Sequence, residues 1–390
     1  MSKSKKNILF IIALFALILS YCFLVLPSKQ TPDSFNPHQV EQKIKDLSAV
    51  QTGKAARGET GFSSMSGRFI YAENEYNVTL QSKLLAAYED DNFVRFIHLR
   101  MKDFSFNGIT PNEVVISHSP FPGKDINHLY NQTILRYQGY LHEQIPITYK
   151  LIEQKTALQT IQTFLFSSSV LFLLFCAIYF SSDMLTKDRQ NQTVLQGLPV
   201  PWYRLINLKT WVSFLYTLAV IICLLAVTVL ILTIQNGFGS FDIRVPITLS
   251  EKNTYGQDQY DTISLALFFL LAAGFLPILI YLFIRLNAIL SLLCKNTWLV
   301  LMISSVFLFI ERIYYSRTLR DLFGLDISHF PQTYFDFGKI ITGEKNFLLN
   351  MESLTYRNGI TVLLVTILVL EIILFAVSRI VNKRRFYQGS

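Results

Sequence analysis

The chain has 390 residues, of which 51% are hydrophobic and 16% charged, and its formal net charge is +8. This composition indicates a protein that crosses a membrane several times and has a sizeable water-exposed part. The basic residues concentrate beside apolar runs, so the positive net charge indicates how the chain is oriented in the membrane. Nucleic acid is therefore not an expected partner.

Six apolar segments are long enough to cross a bilayer as helices, which requires about 20 residues each. They are residues 8–26, 161–180, 211–234, 263–286, 297–313 and 360–377. The first follows a lysine-rich start but is too long for a usual signal peptide, and no small-residue cleavage site follows it. We therefore predict an uncleaved anchor at residues 1–26 and a polytopic α-helical membrane protein with six transmembrane helices.

Basic residues predict the orientation of these spans. If the N-terminus is cytoplasmic, the cytoplasmic segments carry many basic residues and only two acids, Asp183 and Asp188. The basic residues are Lys3, Lys5, Lys6, Lys187, Arg189, Arg204, Lys209, Arg285, Lys295, Arg379, Lys383, Arg384 and Arg385. This asymmetry places both termini in the cytoplasm, including a basic tail at residues 378–390.

Residues 27–160 lie between the first two spans and form a predicted extracytoplasmic α+β domain. Helical patterns occur at 38–51 and 125–144, and strand-like runs at 68–71, 76–80, 93–100 and 113–117. Residues 147–180 contain neither proline nor glycine, which predicts one long helix that ends as the second span. None of the four cysteines lies in this domain, so no disulfide framework is expected, which fits a bacterial envelope.

Two further segments between spans are expected outside. Residues 235–262 form a predicted polar loop. Residues 311–359 are rich in aromatic residues, as is typical of the membrane–water interface, and predict short helices that dip toward the bilayer. The alternative is an ordinary loop with a hydrophobic core of its own.

The sequence lacks the motifs of common hydrolases and metal sites, and it lacks the phosphate-binding G-x-x-x-x-G-K-[ST] sequence. The chain therefore cannot hydrolyse ATP by a P-loop mechanism. No cofactor or metal is expected on it.

Glu371 lies well inside the sixth span, where a carboxylate must be protonated, paired or wetted. It is either part of a translocation path or a partner in an inter-helix hydrogen bond, for instance with Asn207 or Lys209. Pro277 predicts a kink in the fourth span, which would shape a cavity or improve packing.

Residues 181–209 form a structured loop between the second and third spans. Asp183 can cap a short helix, Gly197 and Pro199 can end it, and Pro201 can start the next. A loop that only tethers two spans does not need such structure, whereas a loop that transmits force to a partner does.

This loop resembles the first cytoplasmic loop of the type 2 ABC transporter permeases, the membrane subunits of many bacterial exporters. The pattern of that family is an acidic residue, Gly-Thr, an apolar pair, a proline and two bases. Its counterparts here are Asp188, Thr193, the pair Val194 and Leu195, Pro199 preceded by Leu198, Arg204 and Lys209, with Gln192 in place of the glycine and Asp188 in place of a commoner glutamate. Two further segments also resemble that family: residues 287–296 resemble the short loop that leads into span five, and residues 329–344 resemble the element before the last span.

The resemblance implies a permease subunit in a bacterial cell membrane that exports a hydrophobic or amphipathic cargo, such as a peptide, a bacteriocin-like molecule or a lipid-linked compound. Its loop would dock on a separate cytoplasmic ATPase, which binds ATP and Mg²⁺, and a second permease would complete a homodimer or heterodimer within the membrane lipid. The expected coupling residues are Met184, Leu185, Lys187, Asp188, Arg189, Thr193, Leu195, Leu198, Pro199 and Arg204, and the candidates for the translocation path are Glu371 and Pro277. The alternative is a membrane sensor or accessory protein whose outer domain binds a peptide and signals to a cytoplasmic partner.

Overall fold

A computed structural model of the protein describes residues 5–31, 33–61, 69–109, 119–143, 145–187, 200–252 and 258–388. The chain divides into two compact units. The span unit comprises Met1–Ser28, Thr156–Phe241 and Val245–Ser390, and the inserted unit comprises Lys29–Lys155 and Asp242–Arg244.

Helices dominate both units. The first helix of the span unit is α1, Lys5–Ser28, which contains one π-helical turn at Tyr21–Val25. The inserted unit contributes α2 (Pro37–Ala56), α3 (Ile70–Glu89), α4 (Phe93–Asn107), α5 (Pro122–His142) and α6 (Tyr149–Ile152). The span unit continues with α7 (Ala157–Phe166), α8 (Leu171–Ser181), α9 (Trp202–Asn236), the strands β1 (Arg244–Lys252) and β2 (Asp258–Ser264), α10 (Leu265–Leu293) and α11 (Thr297–Tyr314). After the short strands β3 (Asp321–Leu322) and β4 (Leu325–Asp326) follow α12 (Phe337–Ile341), α13 (Glu344–Leu349), α14 (Tyr356–Ile380) and α15 (Lys383–Gln388).

Five helices are long and apolar enough to cross a membrane: α1, α9, α10, α11 and α14. A sixth span is possible if the bent pair Tyr149–Phe166 and Ser168–Ser181 crosses as one. In α10, 44% of the most apolar stretch is buried, against 22% or less in each of the other four helices. The chain is therefore a multi-pass helical membrane protein in which α9, α11 and α14 pack against α10.

The bent pair has a sharp break between its two segments, so the prediction of one continuous helix over 147–180 is wrong. The two segments meet at an angle of 81°. Ser167 has an extended backbone, its hydroxyl donates to the Phe164 carbonyl at 3.0 Å, and the same oxygen accepts from the Ser169 amide at 3.2 Å. Serine side chains compete with the helix for its own backbone groups, and three consecutive serines break the helix here without proline or glycine.

The described part of residues 29–155 consists of helices and the segments that connect them, without a strand, so the strands predicted at 76–80 and 93–100 are wrong. Residues 76–80 lie within α3 and residues 93–100 within α4. Asn92 caps α4 by accepting a hydrogen bond from the Arg95 amide at 3.1 Å. Aromatic and β-branched residues favour strands only weakly, and here burial on a helical face prevails. The runs 68–71 and 113–117 lie wholly or partly outside the described residues, whereas the helices predicted at 38–51 and 125–144 are confirmed as α2 and α5.

Asp33 is the polar centre of the inserted unit and is only 1% exposed. Its carboxylate accepts hydrogen bonds from Arg136 at 2.7 Å, from the Tyr137 hydroxyl at 2.9 Å and from Gln154 at 2.6 Å. These partners come from α5 and from the turn that follows α6. One carboxylate thus fastens the chain after α1 to two later elements of the same unit.

Outside the long helices, the span unit contains most of a two-stranded sheet and a set of short helices. Strands β1 and β2 pair in the segment that the sequence predicts to be a polar loop. In the segment 311–359 the short helices are confirmed, and Tyr334, Phe335, Phe337 and Phe347 are buried. Gly338 lets α12 approach α7, since a Cβ atom there would lie 2.2 Å from the Leu165 carbonyl oxygen.

Candidate functional site

The loop after α8 begins inside the core of the span unit. Met184 is 5% exposed and Leu185 is completely buried. Their side chains belong to one apolar cluster with residues of α9, α10, α14 and α15, which we call the loop-end core. Its other buried members are Ile206, Ala288, Ile289, Leu292, Leu374 and Phe386. Met184 and Leu185 therefore contact the chain's own helices, and they offer almost no surface to a partner.

Polar contacts tie the same stretch to two further helices, α1 and α11. The Lys6 ammonium of α1 donates to the Ser182 hydroxyl at 3.0 Å and lies 3.8 Å from Asp183. Asp183 also pairs with Lys187. The Thr186 and Thr297 hydroxyls are hydrogen-bonded at 2.8 Å, which ties the stretch to the start of α11. Asp183, which the sequence predicts as a capping residue, thus links the loop to α1.

The far end of the loop is anchored as well. The Trp202 indole donates to the Val381 carbonyl at 2.9 Å, and its ring lies 5.0 Å from the Phe386 ring. Lys209 donates to the Met184 carbonyl at 3.4 Å, so the two ends of the loop meet. Lys187 and Arg204 are exposed. The other predicted coupling residues, Asp188, Arg189, Thr193, Leu195, Leu198 and Pro199, lie outside the described residues.

Glu371 is paired inside the spans, as one of the two interpretations expects, but with different partners. Its carboxylate accepts from the Tyr281 hydroxyl at 2.8 Å and lies 2.7 Å from the Arg285 Nε atom. The Tyr203 hydroxyl donates to its second oxygen at 3.4 Å. Among the described residues, Asn207 bonds Arg285 and not Glu371: the Arg285 Nη1 group donates to the Asn207 Oδ1 atom at 2.8 Å. The predicted contacts of Glu371 with Asn207 and Lys209 are therefore wrong.

Arg285 and Asn287 are the functional candidates that sequence reasoning missed. Arg285 is 4% exposed and lies two turns before the end of α10, not in a loop. Asn287, fully buried, donates to the Ser181 hydroxyl at 2.6 Å and to the Ile178 carbonyl at 2.9 Å, and it accepts from Ser304. The sequence did contain a signal that Arg285 and Asn287 lie within a helix. The residues that follow Arg285 are mostly apolar, which indicates that the helix continues beyond it.

These two residues make α10 a polar junction. Arg285 contacts α9 and α14, and Asn287 contacts α8 and α11. Hydrogen bonds and ion pairs between helices have few alternatives in lipid, so such groups fix how helices pack. Through Arg285 and Asn287, α10 is thus joined by polar contacts to four helices.

Pro277 lies within α10, one turn before Tyr281, and is half-buried. It removes one backbone donor from the helix at this point. Nearby Gly274 leaves room for the Tyr356 hydroxyl, which would lie 2.5 Å from a Cβ atom there. Glu371 and Pro277 are thus on facing helices, α14 and α10, but Pro277 is not one of the groups that bond Glu371.

Among the described residues, no group of three or more histidine, cysteine, aspartate or glutamate side chains could hold a metal ion. One charged cavity lies at the end of α11 and is lined by Glu311, Arg312, Tyr315, Asp336, Lys339, Lys345 and Leu348. The chain matches no known protein family, no curated protein and no solved structure.

Proposed function

We propose that this protein is the membrane-spanning permease subunit of an ATP-driven exporter in a bacterial cell membrane. A separate cytoplasmic ATPase would bind ATP and Mg²⁺ and dock on the loop 181–209. A second permease would complete the dimer, and the cargo would be a hydrophobic or amphipathic compound moved outward. The resemblance of the loop to type 2 ABC transporter permeases supports this assignment, and both termini would be cytoplasmic.

The observation that carries the proposal is the burial of both ends of the loop in the loop-end core. A loop that is only a tether would not need its first residues packed against α9, α10 and α14. Force applied to residues 188–199 would instead pass through Met184 and Trp202 to Arg285 and Asn287. For this reason we assign partner contact to the residues between the two anchors, together with Lys187 and Arg204, and we assign a positioning role to Met184 and Leu185.

Copurification of the full chain from its native membrane tests the proposal. We expect a P-loop ATPase in a stoichiometric amount. A single-chain preparation without an ATPase would contradict the proposal and would favour the alternative, a sensor or accessory protein whose inserted domain binds a peptide.

The change Leu195→Asp with Leu198→Asp is expected to abolish recovery of the ATPase and cargo-stimulated ATP hydrolysis. A carboxylate buried at a packed contact without a partner costs several kcal/mol, which is enough to dissociate a modest interface. The matched control is Gln192→Asp with Gln196→Asp, which adds the same charge to the same loop at polar positions. Equal recovery of the ATPase by both variants would mean that these leucines do not face the partner.

A further inference from the structure

The charged cavity at the end of α11 has an excess of positive charge. It is lined by three basic side chains, Arg312, Lys339 and Lys345, and by two carboxylates, Glu311 and Asp336. Its volume is about 50 Å³. A water molecule needs roughly 10–15 Å³ on the same measure, so the cavity can hold a group of a few heavy atoms.

The charges are not equally available to a ligand. Lys345 is 2% exposed and pairs with Glu311, so this cation is already neutralised. Asp336 is bonded by Arg312 at 3.1 Å, whereas the Lys339 ammonium lies 3.9 Å from the same oxygen, beyond hydrogen-bonding distance. Among the described residues, the Lys339 ammonium makes no hydrogen bond. It is the least engaged cation of the cavity.

Arg312 also has N–H groups that make no hydrogen bond within the described chain. It is 42% exposed, and its hydrogen bonds to Ser168 and Asp336 within the described chain both use the Nη2 nitrogen. The Nε and Nη1 groups remain for a further acceptor. Arg312 Nη2 and the Lys339 ammonium lie 3.1 Å and 3.9 Å from the same Asp336 oxygen, so both side chains border the same part of the cavity. A phosphate carries several acceptor oxygens and can accept charge-assisted hydrogen bonds from the Lys339 ammonium and from the Nε or Nη1 group of Arg312.

Tyr315 adds a neutral donor to this arrangement. Burial, and next the charge of Glu311, raise the pKa of its hydroxyl to about 12. The hydroxyl therefore keeps its proton at neutral pH. A ligand rich in acceptors and carrying a negative charge matches this set of donors better than a cation does.

We propose that this cavity binds a phosphate-type anion through Arg312 and Lys339. Arg312 lies in the last turn of α11, an apolar helix long enough to cross a membrane, so the cavity lies where such a span ends. Lipid head groups present their phosphates at the level where a span ends. A free phosphate has the same chemistry, and the experiment separates the two sources. The inference does not depend on the proposed transport function.

The test uses the full chain in a phosphate-free detergent at constant ionic strength. One arm adds inorganic phosphate and the other adds short-chain phosphatidylglycerol, and the thermal unfolding midpoint is measured in both. A ligand that binds only the folded chain raises this midpoint. A rise in the lipid arm alone identifies a head-group site, and a rise in the phosphate arm identifies a site for the free anion. The absence of a rise in both arms would overturn the proposal.

Variants assign the rise to the cavity. Lys339→Gln is expected to raise the half-maximal ligand concentration about tenfold, as the loss of one charge-assisted contact implies. Lys339→Arg should restore binding. Arg320→Gln is the matched control, since it removes an exposed charge from the same segment but does not line the cavity. An equal loss in Lys339→Gln and Arg320→Gln, or no loss in either, would refute the site.

Discussion

The change Glu371→Leu is expected to destabilise the span unit by about 3–5 kcal/mol, because it leaves the buried Arg285 guanidinium without its counter-charge. The Tyr281 hydroxyl, which bridges the pair, would lose its acceptor as well. The loss should appear as a lower thermal unfolding midpoint of the full chain in detergent or nanodiscs. A midpoint as high as that of the wild type would mean that the ion pair does not form in the membrane.

The double change Arg285→Leu with Glu371→Leu is the control for that result. Replacement of a whole buried ion pair by apolar residues is often neutral, whereas removal of one partner is costly. The double variant should therefore be more stable than Glu371→Leu alone. If both variants lose the same stability, the cost comes from the packing of Glu371 and not from an uncompensated charge. The double variant should also couple the loop to the spans less well, since Arg285 joins α9 to α14.

The change Asp33→Ala is expected to open the inserted unit locally, at a cost of about 3 kcal/mol or more. It removes the acceptor shared by Arg136, Tyr137 and Gln154 and leaves the Arg136 charge buried. Burial, and next the charge of Asp33, raise the pKa of Tyr137 well above its usual range, so its hydroxyl needs an acceptor throughout the neutral pH range. Hydrogen exchange of the α5 amides in the full chain measures the opening, and about 100-fold faster exchange corresponds to this cost.

Asp46→Ala serves as the matched control for Asp33→Ala. Asp46 is an exposed aspartate of α2 in the same unit, and it accepts one hydrogen bond, from Gln42 at 2.9 Å. Its loss should leave the exchange of α5 unchanged. If Asp33→Ala and Asp46→Ala gave the same exchange rates, the Asp33 network would not hold the unit together.

The candidate site was predictable from the sequence only in part. Residues 181–209 stand out because they are polar, contain two prolines and lie between two long apolar runs. The same pattern cannot show which apolar residues of the loop turn inward. Met184 and Leu185 look like contact surface for a partner, yet the chain's own helices cover them. The partner of Glu371 was missed for a similar reason. The position of Glu371 deep in an apolar run predicts that its carboxylate is paired. Its partner, Arg285, is distant in the sequence and has the position expected of a loop residue.

The sequence by itself determined the elements whose signal is local. Long apolar runs predict the spans because lipid permits only backbones that satisfy their own hydrogen bonds. The helices α2 and α5 are also predictable from local patterns. The tertiary structure decided what depends on contacts between distant residues: the helical state of residues 76–80 and 93–100, the 81° break after Phe166, and the junction at Arg285 and Asn287. Local propensities differ by about 1 kcal/mol or less per residue, whereas full burial of a large apolar side chain contributes about 1.5–3 kcal/mol, so packing determines the outcome wherever the two disagree.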